Sequence, residues 1–153
     1  MRITLPVMLL LFAVPCAAAY DPMQIKQFIN DERALFQISQ WHGSDEAQQW
    51  SAVSEIKLLT VEINRNQTKI GSPFFSPPLR EAANARCTAV ASLALGVATA
   101  EEQAAIENVM NKSMQYHQRQ SFELNNVRFD AIPVVKGPFV TMYCSVMPIG
   151  ALN

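Results

Sequence analysis

Charge is scarce in this chain. Lys and Arg number 12 and Asp and Glu 13 among 153 residues, for a net charge of −1. A nucleic-acid binder neutralises phosphates with a positive field, so this balance argues against a general DNA- or RNA-binding role. Glycine, at 5, and proline, at 9, are too few for a collagen-like or low-complexity chain, and no repeat recurs at solenoid periods. Histidine is confined to His42 and His117. There is no Gly-x-Ser-x-Gly, no glycine-rich phosphate loop, no His-Glu-x-x-His and no Cys-x-x-Cys-His, so the usual marks of serine hydrolases, nucleotide binders, zinc proteases and covalent haem carriers are missing. A non-catalytic protein without a cofactor is expected. With 50% hydrophobic residues, the chain has enough apolar content for one packed domain and is not a disordered segment.

Much of that apolar content is concentrated at the N-terminus. Arg2 is followed by an apolar run from Ile3 to Val14, then Pro15, Cys16 and Ala17-Ala18-Ala19. The run suits the core of a secretory signal but is short for a spanning helix, and Ala17 and Ala19 form a small-x-small cleavage site. Residues 1–19 therefore read as a signal peptide, leaving residues 20–153 as one secreted domain, with the bacterial periplasm the expected compartment and no membrane span in the mature chain. A lipid anchor on Cys16 is disfavoured because Pro15 stands where a lipoprotein signal has a small residue. Removing Cys16 leaves Cys87 and Cys144, and an even pair bound for an oxidising compartment predicts one disulfide.

Asp21-Pro22 reads as a helix start, a capping carboxylate followed by a proline whose missing N–H costs nothing there. Ile25, Phe28, Ile29, Leu35 and Phe36 recur at helical spacing, predicting a first helix over about 22–42 that Gly43 ends. Val53, Ile56, Leu59, Ile63 and Ile70 share one face at 100° per residue, predicting a second helix from Ser44 to Gly71. The proline-rich segment 72–78 predicts a stiff loop carrying Phe74 and Phe75. A third helix is expected from about Pro78 to Val97, uncharged throughout its second half and so placed at the centre of a bundle. Thr99 and Glu102 have capping-box spacing and open a fourth helix that runs to about Asn125. Two β-branched and aromatic runs, 127–135 and 139–147, separated by Lys136-Gly137-Pro138, predict a C-terminal hairpin with Pro133 on an edge strand. The expected fold class is mainly α (α+β): a four-helix bundle-like domain with a small hairpin pinned to the third helix by Cys87–Cys144. In outline this resembles the small helical, disulfide-containing periplasmic immunity proteins that neutralise toxins of rival bacteria, a likeness of architecture with no motif behind it.

Three groups of residues could carry function. Met110, Met114 and His117 fall at i, i+4 and i+7 on the fourth helix, a thioether and imidazole set suited to cuprous copper, and equally an ordinary core face with one hydrogen-bonded histidine. Glu32 projects between Ile29 and Phe36 on the apolar face of the first helix, where a buried carboxyl would have a raised pKa or would pair with Arg86. His42, at the end of that helix, would interact with its terminal carbonyls. Phe74 and Phe75 are the partner-binding candidates, since adjacent aromatics on a proline-stiffened loop lose little entropy on binding. Asn66-Gln67-Thr68 and Asn111-Lys112-Ser113 match the glycosylation sequon, which matters only in a eukaryotic secretory route. The function expected is binding of a protein partner, of inhibitor, immunity or envelope-accessory type. The alternative is periplasmic copper or small-ligand binding on the Met110, Met114 and His117 face.

Overall fold

A computed structural model describes residues 20–55 and 58–152. The segment 1–19 expected to be a signal peptide, with Cys16, and Ile56 lie outside the described residues. The described elements are α1 (Pro22–Asp31), α2 (Arg33–Phe36), β1 (His42–Ser44), β2 (Gln49–Val53), β3 (Thr60–Asn64), β4 (Gln67–Pro73), α3 (Pro77–Leu95), α4 (Ala100–Tyr116), β5 (Gln120–Leu124), β6 (Val127–Lys136) and β7 (Phe139–Pro148), closed by a 3-10 turn at Ile149–Leu152. All strand pairs are antiparallel, and they form a seven-stranded sheet in the order β1-β2-β3-β4-β7-β6-β5. Two meanders, β1 to β4 and β5 to β7, thus join edge to edge where β4 meets β7. The helical bundle expected from the sequence is not formed. The domain is a two-layer α+β structure, with α1 against β3 and β4, α3 against β4, β7 and β6, and α4 against β6 and β5.

The largest correction falls on the segment expected to be a second helix, which is β1 to β4. Trp50 and Ala52, Val61 and Ile63, and Thr68, Ile70 and Ser72 are buried, and the residues between them in β2 and β3 reach solvent. That is the period of a strand. The helical spacing of Val53, Leu59, Ile63 and Ile70 is coincidental, since Val53 is 58% exposed on the far side of the sheet. The first helix is also shorter than expected. Asp21 caps it through bonds from the Met23 and Gln24 amides, but the backbone leaves helical geometry at Glu32 and, after the single turn α2, Gln37 takes a left-handed conformation at φ 49. His42 consequently lies on the edge strand β1, not at a helix end.

Thr99 and Glu102 form the expected capping box. The helix they open stops at Tyr116, with His117 left-handed at φ 52, so residues expected to be its last turns make β5. Asn125 and Asn126, at φ 52 and 59, supply the two left-handed residues that a tight β5–β6 hairpin requires. The C-terminal hairpin is present, but as two long strands inside the sheet and not as a small appendage. Gly137 at φ 59 followed by Pro138 has the sign pattern of a type II′ turn, which accounts for a proline in that loop. Pro133 is tolerated because β5 pairs with β6 only as far as Ala131, leaving no neighbour on that side whose carbonyl would need an N–H.

Cys87 of α3 and Cys144 of β7 form a disulfide with a Cα–Cα distance of 5.9 Å. It crosses the core between the layers, among Val90, Ala91, Phe129, Met142 and Val146, all nearly inaccessible. Arg86, one residue earlier, is 3% exposed. Its Nε donates to the Leu35 carbonyl at 2.7 Å and its guanidinium to Ser72 Oγ at 3.1 Å. It does not meet Glu32, which is exposed. Among the described residues no helix is long and apolar enough to cross a membrane.

Candidate functional site

Because Cys144 faces the helices, the strand parity of the whole sheet follows from it. Met142, Cys144 and Val146 of β7, with Ile70 of β4 and Phe129 and Ala131 of β6, point to the helical layer. Their neighbours point to a face on which, among the described residues, no helix packs. Register places these outward residues in rows. One row crosses five strands as Val53, Thr60, Gly71, Tyr143 and Ile132. Above it lie Pro73, Thr141 and Val134, and then Phe139 beside Lys136. Below it runs a polar row of Ser51, Glu62, Lys69, Ser145, Asp130 and Ser121. The solvent side of an antiparallel sheet is normally polar, so the apolar rows are the anomaly.

Tyr143 occupies the centre, and Gly71 makes room for it. A Cβ on Gly71 would stand 2.8 Å from Tyr143 Cε1 and 2.8 Å from Thr60 Oγ1, so only glycine lets the ring lie against the β4 backbone. Lys69 Nζ sits 4.9 Å from the centroid of the same ring, within cation–π range. A cleft of about 440 Å³ opens here, walled by Ile132, Val134 and Met147 and rimmed by Lys69, Arg119 and Lys136, with Asp130 the one carboxylate in its lining. Asp130 is occupied: Arg128 Nε donates to it at 2.8 Å and Ser121 Oγ at 2.5 Å. The bond and charge of Asp130 in turn hold the Arg128 pKa above its ordinary value.

Phe74 and Phe75 part at the upper end of this face. Phe74 is 6% exposed, its amide bonded to the Val140 carbonyl at 2.8 Å and its ring beneath the Arg80 guanidinium at 5.5 Å. Phe75 is 44% exposed and meets Phe139, itself 51% exposed, edge to face with centroids 5.9 Å apart. This aromatic pair continues the apolar rows at the sheet's rim.

The other candidates lie elsewhere. Met110 is fully buried in the core, Met114 half-buried and His117 exposed at the end of α4. Among the described residues no group of three or more His, Cys, Asp or Glu side chains is placed to hold a metal ion. His42, with Trp50 and Glu62, lines a separate cleft of about 520 Å³ at the β1–β2 edge. Trp41 Nε1 is buried without a hydrogen-bond partner among the described residues.

Tyr143, Gly71, Lys69, Ile132 and Val134 were not singled out in the sequence. The signal was there: in 131–135 and 139–144 almost every residue is apolar or aromatic irrespective of parity, the pattern of a strand with two apolar faces. Comparison with protein-family models, curated proteins and solved structures found no match.

Proposed function

We infer that this protein is a non-catalytic binding protein that engages a protein partner through the helix-free face of its sheet. One observation carries the reading: Pro73 of β4, Tyr143 and Phe139 of β7 and Ile132 and Val134 of β6 gather apolar surface on the side that the described helices leave open, and an exposed Phe75–Phe139 pair extends it. An apolar surface rimmed by polar residues marks interaction sites on soluble proteins, and buried aromatics supply much of interface affinity. Export to an oxidising compartment, the periplasm of a bacterium, is supported by the segment 1–19 and by a disulfide that needs such surroundings to persist. The likeness to small helical immunity proteins rested on a bundle and falls with it.

The test is affinity capture of a partner from envelope extract, with mass spectrometry, by the wild-type chain and two variants. Val134→Asp places a charge in the apolar surface and should abolish capture. Asn108→Arg, on the exposed side of α4, should leave it unchanged. Equal capture by all three would reject the surface as the contact.

A further inference from the structure

Among the described residues Lys69, Arg119 and Lys136 form no ion pair, although the chain as a whole is slightly acidic. All three rim the cleft above Tyr143. The carboxylate in its lining, Asp130, is engaged by Arg128 and Ser121. Glu62, directly opposite Lys69 in register on β3, is the nearest other acid on this face, yet Lys69 lies over the Tyr143 ring and makes no ion pair with it. The cleft is thus apolar along Tyr143, Ile132, Val134 and Met147, polar at Gln67 and Ser145, and positive at its rim.

We propose that the occupant is an extended acidic polypeptide segment, with an apolar side chain seated against Tyr143 and Ile132 and its carboxylates meeting Lys69, Arg119 and Lys136. This rests on the reading above that the helix-free face binds a protein partner, and it names that partner's chemistry. The dimensions agree. Lys136 is aligned with Phe139 and Lys69 with Ser145, a separation of six residues along β7, or roughly 20 Å at 3.4 Å per residue. An extended segment of about six residues covers that span. The complementarity is electrostatic at the rim, where charges govern encounter and partner choice, and apolar at the centre, where area governs affinity. A nucleic acid would need a wider positive stripe than three cations around an apolar floor. An anionic membrane would need the cations on a protruding surface, and here they surround a recess.

The experiment is selection of a random-peptide display library on the purified, oxidised chain, followed by fluorescence anisotropy with the labelled consensus peptide. Expected are peptides that join Asp or Glu to a large apolar residue and whose binding weakens as sodium chloride is raised. Lys136→Glu and Arg119→Glu should each weaken binding by about tenfold or more. Both residues are exposed, so circular dichroism should show the fold intact. Ile132→Asp should abolish binding. Acid-poor apolar peptides, lost with Ile132→Asp but indifferent to the charge reversals, would overturn the acidic assignment and leave the binding face standing. An unenriched library, or peptides indifferent to all three substitutions, would overturn both. Co-sedimentation with phosphatidylglycerol vesicles that is lost in the charge reversals, without any peptide binding, would assign the cations to a membrane and overturn the proposal.

Discussion

Replacing Arg86 tests whether a buried guanidinium can stabilise a fold without a carboxylate. It is 3% exposed, no salt bridge reaches it among the described residues, and burial pulls its pKa down from the ordinary value. Burying that charge is costly. Against the cost stand bonds to the Leu35 carbonyl and to Ser72 Oγ, which is itself fully inaccessible. Hydrogen bonds from a charged donor contribute about 1.5–3 kcal/mol each, and a buried acceptor left unpaired costs about 1–3 kcal/mol. Arg86→Met keeps most of the apolar stem and relieves the desolvation, so only the orphaned acceptors remain, and a loss of about 1–3 kcal/mol is expected. Arg86→Ala adds a void, and a loss of about 3–5 kcal/mol is expected. Urea unfolding followed by circular dichroism, with the disulfide intact, measures both. The bonds also join α3 to α2 and to the end of β4, immediately before Phe74 and Phe75 diverge, so Arg86→Met should loosen the aromatic rim as well. If Arg86→Met is as stable as the wild type or more so, the two bonds do not outweigh the desolvation, and the clamp assigned to Arg86 is refuted.

Three other perturbations are worth making. Thiol labelling of denatured, unreduced protein should find neither Cys87 nor Cys144 free, and because the bridge spans 57 residues its loss should cost about 4 kcal/mol in unfolding experiments on the chain-entropy model. Burial raises the pKa of Tyr20, whose hydroxyl lies 2.9 Å from the Asn64 carbonyl and 2.9 Å from Thr68 Oγ1, from 10.0 to about 12. Its contribution to stability is therefore complete below pH 10 and fades as pH rises toward 12, and wild type should lose about 2 kcal/mol more than Tyr20→Phe across that window; parallel pH curves for the two would refute it. Gly71→Ala should cost about 1–3 kcal/mol and displace the Tyr143 ring, read as a change in tyrosine fluorescence and in partner affinity.

What could be read from the sequence was local. Asp21-Pro22 and the Thr99–Glu102 box act within a few residues, and they cap helices as their chemistry requires. The cysteine pair followed from elimination, since Cys87 and Cys144 were the two left after the N-terminal segment. The hairpin ending the chain was legible from its β-branched runs. The strands β1 to β4 were not, because each is short, the β1–β2 turn uses Gln48 at φ 49 in place of glycine, and five apolar residues happened to fit a helical wheel. Asn125-Asn126 carried a readable hairpin signal that the long helical pattern before it obscured.

The position of the proposed binding face depends on one parity choice, and the disulfide and the apolar alternation of β7 make that choice together. In β7 from Val140 to Val146 one set of alternate positions is Val140, Met142, Cys144 and Val146 and the other Thr141, Tyr143 and Ser145, so the apolar pattern already favours the first set for the core, with the aromatic Tyr143 the one large apolar residue against it. Cys87 lies on α3, so Cys144 must face the helical layer to reach it, and Met142 and Val146 face inward with it. Tyr143, Ser145 and Met147 are then forced outward, and cross-strand register carries Gly71, Lys69 and Ile132 to the same side. A slip of one residue would bury Tyr143, expose Met142 and pull Cys144 away from Cys87. The bridge therefore does more than close a loop: with the apolar alternation it opposes the competing register, and so it helps to fix which side chains the sheet presents on its outer face.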